Sequence, residues 1–278
     1  MPETPPTPGK LPDLILIGAM KSATSSLHHW LGSHPSVAVS NPKELDFFVE
    51  PRYSRLGVDW YRTQFTDPAG AEVAVESSPN YTKAHQLPGV PGRMAALLPD
   101  VKLVYVVRDP IDRVLSHYVH DIAAATTRDS FHDWVKDPEH SIGVQTSRYH
   151  WQLSLYLEQY PADRIRVIDM NRIRREPVAV TTELLEWVGL DPAFDEAVVG
   201  RRVHDSRNKI APNALGRLFW SNKKMRRKLR SRVPWLVGRP IVTPEWLPED
   251  RQRVADYLAD DVAALRRLTG QGFDDWKL

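Results

Sequence analysis

Residues 14–31 read Leu-Ile-Leu-Ile-Gly-Ala-Met-Lys-Ser-Ala-Thr-Ser-Ser-Leu-His-His-Trp-Leu, and this stretch decides the fold. Its first four residues are aliphatic, which is typical of a strand buried on both faces. Gly18 ends the strand, and Leu27, Trp30 and Leu31 then follow at helical spacing. The stretch therefore predicts a strand, a short turn and a helix in succession.

The turn between this strand and this helix is suited to a phosphate group. Unpaired N–H groups and the positive end of a helix dipole meet at such a point. Lys21 adds a positive charge, and hydroxyl donors come from Ser22, Thr24, Ser25 and Ser26. The spacing is not that of a Walker loop, because Lys21 follows Gly18 by only three residues without a second glycine. An ordinary turn with a solvated lysine stays open as the alternative.

The composition is that of a folded protein. Its 278 residues predict a single α/β domain over 14–278, after a disordered Pro-rich tail over 1–13. A net charge of +2 argues against nucleic-acid binding. The lack of cysteine excludes disulfides and thiolate metal sites, and it fits a cytoplasmic enzyme. The apolar runs are far shorter than the ~18 residues of a membrane span.

Strands and helices are predicted to alternate along the rest of the chain. Strands are predicted over 37–40, 72–76, 101–107 and 164–170, and helices over 56–65, 91–98, 111–119, 144–160 and 176–189. This order implies a central parallel sheet flanked by helices. Ligands bind at the carboxyl ends of the strands of such sheets, where Gly18, Glu76 and Arg108 lie.

A second candidate anion site follows the predicted strand 101–107. Arg108 comes directly after this strand, and Ser116 lies about two turns into the next helix. An arginine fork and a hydroxyl that converge there would hold a second phosphate group. Pairing of Arg108 with a structural carboxylate, Asp109 or Asp112, is the alternative that the residues leave open.

Together these segments resemble the sulfotransferases that use 3′-phosphoadenylyl sulfate (PAPS), most closely the heparan-sulfate-type and related bacterial branch. Residues 18–27 resemble the family's loop for the 5′-phosphosulfate, and residues 107–118 resemble its 3′-phosphate motif. Residues 41–44, Asn-Pro-Lys-Glu, resemble its Lys-Glu loop. The resemblance continues through 149–189 and 247–276, and it implies the P-loop-kinase-like sulfotransferase fold.

The resemblance implies sulfuryl transfer from PAPS to a hydroxyl of a small metabolite, glycan or lipid, without a metal ion. Glu44 is the implied base, and Lys21 stabilises charge on the departing group. The implied cofactor ligands are Gly18, Lys21, Ser22, Ala23, Thr24, Ser25, Ser26, Arg108 and Ser116, with Arg207 and Lys209 as further candidates in a basic turn.

The acceptor contacts are less defined. The candidates are Lys43, Glu76 and Tyr149, although a core tyrosine is the favoured interpretation of Tyr149. Glu76 is also the rival for the role of base. Two positions depart from the family pattern: Ala23 stands where many members have glycine, and Ser77 where heparan-type enzymes often have lysine.

A basic amphipathic stretch, residues 217–232, lies within an expected insertion or lid over 210–240. It predicts either a packed helix with a basic face, which is favoured, or a clamp, a lid or a membrane contact through 215–236. Two other functions stay open. A Mg²⁺-dependent nucleoside or nucleotide kinase would need a Walker loop that is absent here, and a non-catalytic module would bind nucleotide or membrane only.

Overall fold

The computed structural model describes residues 9–65, 70–200, 210–213 and 238–278. Five parallel strands form the central sheet, in the order β2-β3-β1-β4-β5. The strands are β1 Leu14–Gly18, β2 Val37–Val39, β3 Val73–Ser77, β4 Lys102–Val107 and β5 Ile165–Asp169. The predicted fold class, a parallel sheet flanked by helices, is confirmed.

Helices connect the strands and cover both faces of the sheet. They are α1 Thr24–Leu31, α2 Arg52–Arg62, α3 Val90–Leu97, α4 Pro110–Ala124, α5 Phe131–Val135, α6 Ile142–Thr146, α7 Tyr149–Leu157, α8 Met170–Arg175, α9 Pro177–Trp187 and α10 Pro248–Thr269. A short 3₁₀ helix spans Pro79–Thr82, another spans Ala162–Arg164, and β6 Ile210–Pro212 pairs antiparallel with β7 Gly238–Pro240.

The strand β1 is buried on both faces, as its aliphatic run predicts. Ile15 and Ile17 belong to one apolar cluster, and Leu14 and Leu16 belong to the cluster on the opposite face. Because side chains alternate along a strand, one short segment joins both halves of the core. This position brings the end of β1 to the middle of the sheet edge.

The helix predicted over 144–160 is two helices. Arg148 has φ −77° and ψ 74°, which is not helical, and it separates α6 from α7. Ser147 ends α6 in a tight turn, in which its N–H donates to the carbonyl of Val144 at 2.8 Å. The helix predicted over 56–65 is also shifted: α2 begins at Arg52 and ends at Arg62, with a bend at Gly57.

The predicted tail over 1–13 is too long, because residues 11–13 pack on the sheet. Asp13 donates its N–H to the carbonyl of Ala74 at 2.9 Å, and the Ala74 N–H donates to Asp13 Oδ2 at 2.8 Å. Leu11 lies against the core. The expectation of a disordered tail fails at Leu11 and Asp13, because the proline content does not reveal that these two side chains contact the core and the sheet. Residues 1–8 lie outside the described ranges.

Gly18 ends β1 where two other segments approach it closely. A Cβ added at Gly18 would lie 2.1 Å from Thr82 Oγ1 and 3.1 Å from Tyr105 Cε2. Thr82 ends the 3₁₀ helix that follows β3, and Tyr105 lies on β4. The tip of β1 is therefore packed against β4 and against the 3₁₀ helix that follows β3, at a position that has no room for a side chain.

The substitution Gly18→Ala is expected to lower the free energy of unfolding by about 1–3 kcal/mol, the usual cost of overpacking. Gly92→Ala is the matched control, because nothing lies within 4 Å of its added carbon. Because Gly92 lies inside α3, its replacement by alanine should instead raise the free energy of unfolding by up to about 1 kcal/mol. Urea unfolding followed by tryptophan fluorescence measures both, and equal stability of the two variants would contradict the packing described.

Candidate functional site

The turns after β1 and β4 lie side by side at the carboxyl edge of the sheet. The Ala19 N–H donates to the carbonyl of Val106 at 2.6 Å, which ties the first turn to the end of β4. Arg113 of α4 donates through Nη1 to the carbonyl of Met20 at 3.4 Å. The turn that carries Lys21 is therefore joined both to β4 and to the helix that follows Arg108.

The phosphate loop, residues 18–26, has the backbone geometry of an anion site. Lys21 has φ 73° and Ala23 has φ 66°, so two residues of the turn are left-handed. Such turns direct successive N–H groups into one concavity. Thr24 and Ser25 open α1, where N–H groups have no carbonyl one turn earlier. Ala23 adopts a left-handed conformation that a glycine would adopt without strain.

The side chain of Ser22 fits a ligand in this loop. Ser22 is fully buried, and its hydroxyl has no hydrogen-bond partner among the residues that the structure describes. A buried hydroxyl without a partner costs free energy. A phosphate oxygen held by the loop would supply the partner, so the residues present fit the phosphosulfate end of a nucleotide.

Arg108 follows β4 at this edge, and Ser116 lies on α4, the helix that comes next. The Arg108 side chain is 19% exposed, and its Nη2 lies 3.7 Å from Asp112 Oδ2. Lys277 Nζ lies 2.6 Å from the other oxygen of the same carboxylate. Among the residues that the structure describes, the Arg108 side chain thus makes one long contact, with a carboxylate that it shares with Lys277. Ser116 is partly exposed on α4.

Tyr149 is not an acceptor contact in this structure, which corrects one of the expectations. Its side chain is fully buried between Tyr105 and Trp276. Its hydroxyl donates to the carbonyl of Arg108 at 2.7 Å. Tyr149 therefore supports the turn at Arg108 from below, as a core tyrosine would.

Sequence reasoning missed Arg113. This guanidinium is fully buried, and it donates to Ser147 Oγ at 2.7 Å and to the carbonyl of Gly143. No carboxylate lies within ion-pair distance of it in the described part of the chain. Arg113 stands five residues after Arg108 within the 107–118 motif, but an arginine on a helix is usually exposed, so the motif alone gave no signal of burial.

The buried side chains around Arg113 experience a positive field. The pKa of His117 is held well below its ordinary value, first by burial and then by the charges of Arg113, Lys83 and Lys21. Burial and the charge of Arg113 likewise lower the pKa of Lys83. Three cations, one on α4 and two in turns that follow β1 and the 3₁₀ helix Pro79–Thr82, therefore act on one region, which favours an anion. Lys83 is a second residue that the sequence analysis did not name.

The Glu44 loop, residues 41–48, carries the candidate base next to this region. The Glu44 side chain is 51% exposed, and Lys43 Nζ lies 2.9 Å from its Oε1. The loop is fixed to the end of β3, because the Asp46 N–H donates to Ser78 Oγ at 3.0 Å. Since β3 pairs with β1, the loop lies beside the phosphate loop with its glutamate open to solvent.

Glu76 does not face the rim, so its expected role as an acceptor contact is wrong. It is fully buried, and its carboxyl group accepts hydrogen bonds from the hydroxyls of Tyr61, Ser78 and Tyr81. Burial raises the pKa of Glu76 to about 7, although the three hydroxyls lower it. Strand alternation was the available signal, because Glu76 shares the face of Ala74, which belongs to the core.

Several predicted features lie outside the described residues. They are Arg207, Lys209, the basic stretch 217–232 and the whole segment 215–236. Within the ranges that the structure describes, no group of three histidine or acidic side chains is arranged for a metal ion. No helix in those ranges is long and apolar enough to cross a membrane.

Comparison with known proteins places the chain in a family. The model of the sulfotransferase domain matches residues 11–210. The bifunctional heparan sulfate N-deacetylase/N-sulfotransferase 2 of Bos taurus is 28% identical over 283 residues, which cover 87% of this chain and 31% of the relative. The Drosophila melanogaster enzyme of the same kind is 27% identical and covers 86% of this chain and 27% of its own length.

Solved structures share the fold. A sulfotransferase from Alicyclobacillus acidocaldarius superimposes with a TM-score of 0.71 at 22% identity, covering 97% of this chain and all of that one. The chain belongs to the PAPS-dependent sulfotransferase family, as predicted. It spans about a third or less of the length of the curated relatives it matches.

The substitution Arg113→Met is expected to weaken binding of PAP, the nucleotide product, at least tenfold, about 1.4 kcal/mol. It removes a buried charge and frees the carbonyl of Met20 in the phosphate loop. The control is Arg128→Met, which removes an exposed arginine near the end of α4. Calorimetry at fixed salt measures both affinities, and unchanged PAP binding in Arg113→Met would contradict this role.

The pKa of Glu76 predicts how stability depends on pH. Because the folded pKa is about 7 and the ordinary value is 4.5, the unfolded chain loses its proton first as pH rises. The free energy of unfolding of the wild-type protein, compared with that of Glu76→Gln, should therefore fall by on the order of 3 kcal/mol between about pH 4.5 and pH 7. Above pH 7 the difference should stay constant. Urea titrations across this range measure the difference, and parallel curves for the two proteins would refute it.

Proposed function

We propose that this chain transfers a sulfuryl group from PAPS to a hydroxyl of a small metabolite, glycan or lipid. One observation carries the proposal: the two elements proposed to bind anions stand at the tips of neighbouring strands, β1 and β4, and are joined by the bond from Ala19 to Val106. A nucleotide with anionic groups at its 5′ and 3′ ends matches such a pair. The family assignment supports the same donor.

The phosphate loop is assigned to the 5′ end. Its N–H groups, the Ser22 hydroxyl and the Lys21 ammonium would hold the phosphosulfate, which supplies an activated sulfuryl group when bound. Gly18, Ala23, Thr24, Ser25 and Ser26 shape the same turn. Lys21 adds a full positive charge where negative charge must be stabilised.

Arg108 and Ser116 are assigned to the 3′-phosphate. A guanidinium binds a phosphate through two parallel N–H bonds, which are stronger than its 3.7 Å contact with Asp112. Lys277 stays beside Asp112 and keeps that carboxylate neutralised. Arg207 and Lys209 remain candidates for further contacts with the cofactor.

Glu44 is assigned as the base. Its exposed carboxylate takes the proton of the acceptor hydroxyl, and Lys43 fixes its orientation from 2.9 Å. Glu76 lacks the access that this role needs, because its carboxyl group is enclosed by hydroxyls.

The acceptor is the least constrained part of the proposal. The curated relatives are named for N-sulfation of heparan sulfate, so an amine of a glycan is the main competitor to a hydroxyl. We infer a cytoplasmic location from the lack of cysteine. A membrane contact through 215–236 is a separate proposal, which sedimentation with anionic liposomes at low salt would test.

The substitution Glu44→Gln is expected to lower transfer from labelled PAPS at least a hundredfold while leaving PAP affinity within threefold. The amide keeps the shape of the side chain but cannot take a proton. Glu50→Gln is the control, because Glu50 is also exposed and interacts with Ser54. A panel of alcohols and amines identifies the acceptor group.

Calorimetry separates this function from its alternatives. Tight binding of PAP without magnesium is expected for a sulfotransferase. Magnesium-dependent binding of ATP, with none of PAP, would favour a kinase. Full activity of Glu44→Gln would remove the assignment of the base.

A further inference from the structure

The buried carboxyl group of Glu76 lies directly behind the Glu44 loop. Ser78 donates to Glu76 Oε1 at 2.6 Å, and Ser78 Oγ accepts the Asp46 N–H at 3.0 Å. The serine hydroxyl thus joins the carboxyl group to the backbone of the loop, two residues after Glu44. Both Glu76 and Ser78 are fully buried.

A second link runs through Tyr81. Its hydroxyl donates to Glu76 Oε1 at 2.6 Å and lies 3.5 Å from the N–H of Phe48. The ring of Tyr81 also contacts the ring of Phe48 edge to face, with centroids 5.6 Å apart. Tyr81 therefore reaches the far end of the loop from the same carboxyl oxygen.

The third link uses the other carboxyl oxygen. Tyr61 of α2 donates to Glu76 Oε2. The Tyr61 ring is stacked on Phe47, with centroids 4.1 Å apart and planes 5° from parallel. The three hydroxyls that converge on Glu76 thus belong to side chains that hold Asp46, Phe47 and Phe48, which are consecutive residues of the loop.

The loop needs this support because of its backbone. Asp46 has φ 50°, a left-handed conformation that is unfavourable for residues other than glycine. Asn80 Nδ2 donates to Asp46 Oδ2 at 3.0 Å. A turn of this kind two residues after Glu44 sets the direction in which Glu44 leaves the protein surface.

We propose that Glu76 is a positioning residue, whose buried carboxyl group gathers three hydroxyls and thereby fixes the loop that carries Glu44. The role rests on the proposed function of Glu44 as the base. It differs from the role of a base, because Glu76 never touches the acceptor, and from a purely structural role, because its loss should affect the proton-transfer step more than nucleotide binding.

Amide hydrogen exchange of the protein without nucleotide tests the links independently of activity. Ser78→Ala and Tyr81→Phe are each expected to speed exchange at residues 46–48 at least tenfold. Ser154→Ala is the control, because that serine donates to the carbonyl of Trp151 in α7, away from the loop. Unchanged exchange at Asp46 in Ser78→Ala would overturn the proposal.

Kinetics then separates positioning from direct participation. Ser78→Ala should lower kcat about tenfold and leave the KM for PAPS and the Kd for PAP within twofold. Glu76→Gln, which keeps the shape and two hydrogen-bonding atoms, should retain at least a tenth of wild-type kcat, whereas Glu44→Gln should not. In the double variant Ser78→Ala with Glu44→Gln, the loss should not exceed that of Glu44→Gln alone.

Two results would overturn the inference. The first is a Glu76→Gln enzyme as inactive as Glu44→Gln with unchanged exchange in the loop, which would make Glu76 a direct participant. The second is an equal loss of PAP affinity and kcat in Ser78→Ala, which would mark general loss of structure. If the wild-type chain transfers no sulfuryl group to any acceptor, the proposed function fails, and the exchange data alone decide whether Glu76 holds the loop.

Discussion

The pairing of β1 with β4 is the constraint on which the site depends. Both strands are apolar on both faces, so the hydrophobic pattern alone specifies their register weakly. The register is fixed at the carboxyl end instead, where the Ala19 N–H meets the carbonyl of Val106 and Arg113 reaches the carbonyl of Met20. The same two bonds set the separation of the phosphate loop from the turn at Arg108. The same contacts therefore fix both the strand register and the spacing of the two turns that are proposed to bind the nucleotide.

Positively and negatively charged side chains are grouped at different places along the edge of the sheet. Lys21, Arg113 and Lys83 act together near the ends of β1 and β4, whereas Glu76, Asp46 and Glu44 lie at the end of β3 or in the loop beside it. A buried cation without a paired carboxylate costs free energy that the rest of the fold must offset. A bound anion would offset the free energy cost of burying Arg113 without a paired carboxylate. The carboxyl groups that act on these cations, Asp121 among them, do not pair with Arg113 within ion-pair distance in the described ranges.

The sequence allowed the fold to be predicted where the signal was local. The aliphatic run of β1, the turn after it and the Arg-Asp-Pro segment after β4 each depend on a few adjacent residues. The separation of α6 from α7 depends on Ser147, whose hydroxyl is held by a buried arginine more than thirty residues earlier. The burial of Glu76 depends on hydroxyls from α2 and from the 3₁₀ helix after β3. No pattern within a short window reports such partners, so Arg113 and Lys83 were missed and Glu76 was assigned to the rim.

The short sheet of β6 and β7 joins the two described ends of the segment that contains the basic stretch. Ile210 pairs with Pro240 and Pro212 with Gly238, so the chain departs and returns at neighbouring points. The strand β6 packs beside α4, the helix that carries Arg113 and Ser116. Both ends of the intervening segment are therefore anchored close to the 3′-phosphate motif.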